Sequence, residues 1–305
     1  MEFPPFFIYD NNDMKGIIIV NQTIGHNQYK IDRFKHECLK RNISLDVFIN
    51  NGTLAKIVNN QIVINLPKAD FVFYLDKDIY LARLMEKAGY RLFNRADFIK
   101  TCDDKMLTFI KCADMGIRMP KTISGPLVYT DLKEDNFKFL DDIIAELGFP
   151  MVVKKVYGSL GEGVYLVKDK DELRKLYKEI ARNPVIFQEY VKNSYGQSIR
   201  ILIIDGKVFG SFIRKNSQDF RSNYGETASS KTMNKPAKYE AFAQDIADKL
   251  QIEYAGIDLL VYEDEEPILC EINSNAFFEE FEKVTKLDVA KAVMDMVVRK
   301  ANANE

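Results

Sequence analysis

Residues 149–167 read FPMVVKKVYGSLGEGVYLV. The first nine, apolar and β-branched around Lys154 and Lys155, read as a strand, and VYLV (164–167) reads as its return. Between them lies Gly158-Ser-Leu-Gly-Glu-Gly163. Three glycines and a serine let backbone amides approach an anion closely. Lys154, four residues before the turn, would reach a phosphate held beneath it. The pattern is neither a Walker loop, which needs Gly-Lys-Ser/Thr, nor the G-x-G-x-x-G that opens a helix. Taken alone, the turn reads equally as a plain glycine hairpin and Lys154 as an ordinary strand residue.

Upstream of this turn, the runs GIIIVN (16–21), LDVFIN (45–50) and FVFYL (71–75) have the length and composition of buried strands. They alternate with helical spacing over 27–41 and over 80–88, which Gly89 closes. A small hairpin fits 56–66. The alternation predicts a small parallel α/β unit over residues 1–100. Helices are predicted over 103–115 and 137–147, ended by Gly116 and Gly148. Downstream come a helix over 170–181, a strand over 185–191, and a β-meander from Ser198 that turns at Asp205-Gly206. A helix over 238–250, a hairpin of 255–262 with 268–272, and a last helix over 288–301 complete the chain.

Composition narrows the chemistry. The 305 residues carry 43 Lys plus Arg against 45 Asp plus Glu, a net charge of −2, with none of the basic excess of a nucleic-acid binder. The two histidines, His26 and His36, both lie near the N-terminus, which disfavours a His-rich metal site or multi-histidine catalysis. Cys38, Cys102, Cys112 and Cys270 form neither a C-x-x-C pair nor a disulfide framework. The opening MEFPPFF (1–7) lacks a basic, then long apolar, leader, and no apolar run reaches the ~18–20 residues of a membrane span. The expected compartment is the cytoplasm, with no membrane partner.

Three further constellations could carry chemistry. Asp258, Glu271 and Asn273 fall on two strands joined by a short hairpin. Glu271 and Asn273, two apart, share a face, and Asp258 can lie across from them. Three hard oxygen ligands suit Mg²⁺ beside nucleotide phosphates, although a solvated polar face would look the same. Arg200, Arg214, Arg221, Ser222 and Asn223 supply forked cations and amides for phosphate or carboxylate oxygens, or else are scattered surface residues. FQEYV (187–191) is a strand end that could present backbone groups, with Gln188 or Glu189, to an adenine edge, or an ordinary strand end.

In their order along the chain (Lys, Gly-rich turn, Q-E-Y-V, G-x-x-x-R, D-F-R-S-N, G-I-D-L-L, E-I-N) these segments resemble the ATP-grasp superfamily, and within it the branch of the ribosomal-protein-modifying glutamate ligase RimK. The resemblance covers roughly residues 90–300. It implies an α/β (α+β) ATP-grasp fold, with two α+β lobes clamping ATP after a small N-terminal parallel α/β domain. The implied boundaries are 1–100, 101–190 for the central lobe with its flap, and 191–305 for the C-terminal lobe with the metal site. It further implies that Lys105 and Lys154 contact ATP phosphates under a flap that includes Ser159, Gly161 and Gly163. Gln188, Glu189, Tyr190 and Val191 would hold the adenine and Ser198 would lie near the ribose. Arg221, Ser222 and Asn223 would meet phosphates and substrate, and Arg200 and Arg214, with Lys154, would stabilise the acyl phosphate. Asp258, Glu271 and Asn273 would bind two Mg²⁺ ions, with Mn²⁺ as a substitute.

The activity implied is a ligase joining a carboxylate to an amine or peptide acceptor through an acyl phosphate, releasing ADP and phosphate. A peptide-macrocyclising ligase and a non-catalytic ATP sensor are the alternatives. A homo-oligomer is compatible with the resemblance. Three segments depart from the branch: GQSIR (196–200) has Ser198 where an Asp is usual, YGETASS (224–230) stands where a basic, double-glycine segment is usual, and SNAFFEE (274–280) where Ser-Pro-Gly is usual.

Overall fold

Ile17 to Val20 are four consecutive, almost wholly inaccessible residues, as expected of a strand covered on both faces. They lie in β1 (Lys15–Val20), followed by α1 (Gln28–Leu39), β2 (Ser44–Ile49), β3 (Ala55–Val58), β4 (Gln61–Ile64), β5 (Phe71–Leu75), α2 (Ile79–Lys87) and β6 (Leu92–Phe93). The structure is a computed structural model that describes residues 14–22, 25–130, 132–225, 227–234 and 236–303. The opening segment read as lacking a leader lies outside the described residues. One sheet has the order β2-β1-β5-β6, all parallel. The β3–β4 hairpin turns through Asn59 and Asn60 with positive φ at both, the backbone an Asn-Asn pair tolerates.

These elements belong to the first of two compact units, which also takes in Phe277–Glu279 and residues 288–303. Within it Lys30 of α1 is buried, with Nζ 5.1 Å from the centre of the Phe277 ring. Burial pushes its amine down to about 7. Between that value and the ordinary ~10.4 of a free lysine the unfolded chain binds the extra proton, so stability rises with pH across this window. Lys30→Met is expected to raise the melting temperature at pH 7 and to flatten the rise between pH 7 and 10. Thermal unfolding at both pH values checks this.

The second unit comprises Phe98–Ala276 and Glu280–Leu287. Its first helix begins as α3 (Ala96–Asp103), and α4 (Lys105–Cys112) follows after a single residue. The sequence predicts one helix over 103–115. Instead Asp104 adopts an extended backbone and caps α4, its Oδ1 accepting from the Leu107 amide.

The next elements are β7 (Thr122–Ser124), α5 (Phe139–Leu147), β8 (Met151–Lys155), β9 (Val164–Val167), α6 (Lys170–Ile180) and β10 (Val185–Glu189). They build an antiparallel sheet in the order β7-β10-β8-β9. Met151, Val153 and Phe187 on one face pack against Leu140 and Ile143 of α5 and Leu173 and Tyr177 of α6.

A five-stranded antiparallel sheet follows: β11 (Gln197–Ile204), β12 (Lys207–Asn216), β13 (Ala228–Thr232), β14 (Tyr254–Val261) and β15 (Pro267–Asn273), in the order β13-β12-β11-β14-β15. Ile199, Ile201, Ile203, Ile257, Leu259, Leu269 and Ile272 form its apolar face, covered by Ala243, Ile246 and Ala247 of α7 (Ala237–Leu250). The polar alternates face the other way, and they include most of the candidate site residues. β13 and α8 (Glu279–Thr285) were not anticipated from sequence. The last helix, α9 (Val289–Asn302), falls in the first unit, although the sequence reading grouped it with the C-terminal lobe. Among the described residues no helix is long and apolar enough to cross a membrane.

Candidate active site

Strand alternation places Val152 and Lys154 on the face of β8 opposite the Met151–Val153 core contacts. Lys154 is paired in register with Ile186, and Val152 with Gln188. Lys154 is only 8% exposed, yet among the described residues its ammonium has no hydrogen-bond partner. It opens onto a solvent-open cleft within the second unit, lined by residues of both of its sheets.

The turn after β8 forms one edge of the cleft. Gly158, Leu160, Gly161 and Gly163 all have positive φ, so this backbone favours glycine at nearly every step. Lys105, first residue of α4, donates its ammonium to the carbonyls of Val156 and Gly158 at 3.3 and 3.0 Å and so fastens the root of the turn. Arg221 fastens its tip. Nη1 donates to the Gly161 carbonyl at 3.0 Å, the guanidinium is held by Asp219, and it lies 3.4 Å from the Tyr224 ring centre. Ser159, Gly161, Arg221, Ser222 and Asn223 all line the cleft, and Gly163 does not.

A second wall holds Gln188, Glu189, Tyr190 and Val191 at the end of β10. The Gln188 amide nitrogen is committed to Thr122 Oγ1 at 2.8 Å. Val152 on the central sheet and Leu260 on the five-stranded sheet add apolar walls that the sequence reading missed. Their signal was available: each lies two residues from a candidate polar group on the same strand, Lys154 and Asp258, and so on the same face.

The floor is the polar face of the five-stranded sheet. Ser198 pairs with Arg214, Arg200 with Asp258, and Asp258 with Glu271, so these side chains form adjoining rows. Ser198 Oγ lies 2.6 Å from Ser222 Oγ. Arg200 is clamped by Asp258 in a two-pronged pair, Nε to Oδ1 and Nη2 to Oδ2, both 2.6 Å. Arg214 Nη1 approaches Asp258 Oδ1 at 3.5 Å, and Asn273 Nδ2 donates to Oδ2 at 3.2 Å. Burial raises the cost of ionising Asp258, but Arg200, then Arg214 and Asn273, outweigh it and hold the carboxyl below the usual carboxylate range. Burial opposes ionisation of Arg200 too, and the field of Asp258 more than restores it. Arg200 and Asn273 thus reach the site through Asp258 and do not line the cleft.

The ladder shifts register between Asp258 and Leu259: Asp258 faces Glu271, Leu259 faces Leu269, and Cys270 is the extra residue. Such a bulge re-aims side chains, and here both Cys270 and Glu271 line the cleft. Burial, with Glu271 and Asp258 adding to it, pushes the Cys270 thiol up and keeps it protonated. Nothing in the sequence signalled the bulge.

The donor set fits a magnesium–nucleotide complex. No group of three His, Cys, Asp or Glu among the described residues gathers around one point. Magnesium, however, is commonly held by one or two carboxylates while waters and substrate phosphates complete its shell. The Glu271 carboxylate has no hydrogen bond to the described residues, and Asn273 keeps Oδ1 available, since only its nitrogen is used by Asp258.

The fit of Arg200 depends on Gly256. A Cβ there would stand 2.8 Å from Arg200 Nη1 and 2.9 Å from Ala276 Cβ. Gly256→Ala is therefore expected to displace the guanidinium from Asp258 and lower stability, since a buried ion pair pulled from its geometry is costly. A thermal melt checks it.

Residues 102–297 match the family profile described as the RimK-like ATP-grasp domain. The chain is 34% identical over 259 residues to beta-citrylglutamate synthase B of Danio rerio, covering 82% of this chain and 62% of that protein. It is 34% identical over 222 residues to N-acetylaspartylglutamate synthase A of Homo sapiens, covering 72% and 55% respectively. The chain thus spans less than two thirds of the length of these curated relatives. Among solved structures, D-alanine–D-alanine ligase from Bacillus anthracis matches with a TM-score of 0.73 at 20% identity, over 95% of this chain and 98% of that one, a likeness of fold.

Proposed function

This chain belongs to the RimK-like ATP-grasp family, and on that premise we propose that it is an ATP-dependent ligase joining a carboxylate to an amine. The observation that carries the reading is the unpartnered, nearly buried Lys154 facing the Asp258–Glu271 pair across one cleft. A cation left unpaired in a buried position costs free energy unless an anion completes it. Nucleotide phosphates would do so.

Lys105 and Lys154 would hold the phosphates under the 158–163 turn, which Arg221 keeps closed. Val152, Leu260 and the 188–191 segment would enclose the adenine, and Ser198 with Ser222 would lie near the ribose. Glu271 and Asp258 would hold Mg²⁺, with Asn273 positioning Asp258, and the ion when bound would offset charge on the phosphates. A substrate carboxylate oxygen would attack the γ-phosphorus of ATP as the bond to ADP breaks. The amine nitrogen would then attack the acyl carbon, and the carbon–oxygen bond to phosphate would break with its electron pair leaving on phosphate. The amine's displaced protons pass to phosphate and solvent. Arg214, on the cleft wall, would face the charge that builds on the transferring group, while Arg200 positions Asp258. No residue of the chain need act as a covalent nucleophile, in keeping with a cleft that has no Ser–His or Cys–His pair.

The test is a reaction with ATP, Mg²⁺, an acid panel and hydroxylamine, a small neutral amine that intercepts acyl phosphates. The expected result is hydroxamate, ADP and phosphate in equal amounts. ADP release independent of any acid, or AMP with pyrophosphate, would sink the proposal. Because two relatives carry glutamate in their names, glutamate is the reference acceptor against which the amine pocket is measured.

A further inference from the structure

Arg214 is shared between two carboxylates. On one side it meets Asp258, and on the other its Nε donates to Glu280 Oε2 at 3.1 Å, while Ser230 Oγ donates to Glu280 Oε1. Glu280, on α8, is thus one guanidinium beyond Asp258 and at the margin of the cleft, reached through Arg214, which lines it. Its side chain is 44% exposed although both oxygens are engaged, so a carboxylate face remains open to an incoming molecule.

The cations that the five-stranded sheet brings near it are spent or turned away, and Lys283 stands one turn along α8. Arg214 already serves two anions. Ser230 pairs with Arg214 and Ser229 with Lys215, so Lys215 and Lys231 alternate to the opposite face of the sheet. An acceptor with a carboxylate beside its amine would bring that charge against Glu280 with no guanidinium free to receive it. An acceptor that is simply an ammonium on an alkyl stem would find a carboxylate in place.

Building on the ligase reading, we infer that Glu280 selects the amine substrate, and that this substrate is a primary amine without a neighbouring carboxylate: a diamine or the side chain of a lysine.

The experiment uses the full chain with ATP, Mg²⁺ and whichever acids give hydroxamate with hydroxylamine, then replaces hydroxylamine by cadaverine, by Nα-acetyl-lysine amide or by glutamate. The native chain is expected to use at least one cationic amine over glutamate by about tenfold or more in kcat/KM, the scale set by pairing a charged group. The cadaverine and lysine-amide arms tell a free diamine from a peptide side chain. Glu280→Gln should lower the ratio of cationic-amine to hydroxylamine turnover by about tenfold. Glu280→Asp should retain most of the ratio, and Glu280→Arg should shift preference toward glutamate. A native preference for glutamate, or a ratio unmoved by Glu280→Gln, overturns the inference while leaving the ligase reading intact. Failure of every acid to give hydroxamate overturns that reading, and this inference with it.

Discussion

Lys154→Met is expected to lower turnover by about 10²–10³-fold while leaving the chain at least as stable as the native one. The two effects have one cause. Lys154 stands on a central-sheet strand among Val152, Val153 and Ile186, is 8% exposed, and has no hydrogen-bond partner among the described residues. In the free protein its charge is a burden, because burial removes water that no side chain replaces. Methionine has similar length and no charge, so folding loses nothing and gains the desolvation cost of the ammonium. On the proposed reading the same charge would meet the phosphates held beneath the turn, and its loss would remove a preorganised electrostatic contact where charge builds. Thermal unfolding of the free chain beside steady-state ADP release separates the effects. A fall in both stability and activity would mean that Lys154 is a structural strand residue.

Asp258→Asn is expected to do the reverse on stability. Among the described residues the carboxylate is the sole side-chain partner of the Arg200 fork and one of two for Arg214. Removing its charge leaves nearly buried guanidinium without compensation, at a cost of about 3–5 kcal/mol. Turnover should fall by at least about 10³-fold, since on the proposed reading a metal ligand and its Arg200 clamp would be lost together. The pH dependence has a definite sign. The Asp258 carboxyl is held below its ordinary value in the folded chain. Its contribution is therefore complete above the unfolded carboxylate range, near pH 4, and is lost as pH falls through the lower folded value. The native chain should lose stability on acidification in that window, and Asp258→Asn should show a shallower loss. Urea unfolding between pH 3 and 7 measures both slopes.

Much of the site was legible because strand periodicity is strict. Once β8, β11 and β14 are recognised as strands, alternation alone puts Lys154, Arg200 and Asp258 opposite the apolar residues that form the core, whereas Glu271, two residues after core Leu269, reaches that face only through the bulge at Cys270. The glycine turn was legible because few other residues accept its run of positive φ. The unread parts depend on tertiary detail. The extra residue at Cys270 is a register choice made by two strands together, and neither strand alone encodes it. The break at Asp104 is a capping choice within a continuous helical pattern. The contact of Glu280 with Arg214 joins residues 66 positions apart, a separation at which sequence pattern is silent. That part of the chain is also where it departs from its family's usual segments.

The central claim is that the cleft passes the γ-phosphoryl group of ATP to a carboxylate. It is tested most directly by supplying an acid labelled with oxygen-18 in its carboxyl group, with ATP, Mg²⁺ and hydroxylamine, and weighing the phosphate released. The account predicts one labelled oxygen in each phosphate and none in ADP; phosphate that carries no label would contradict it.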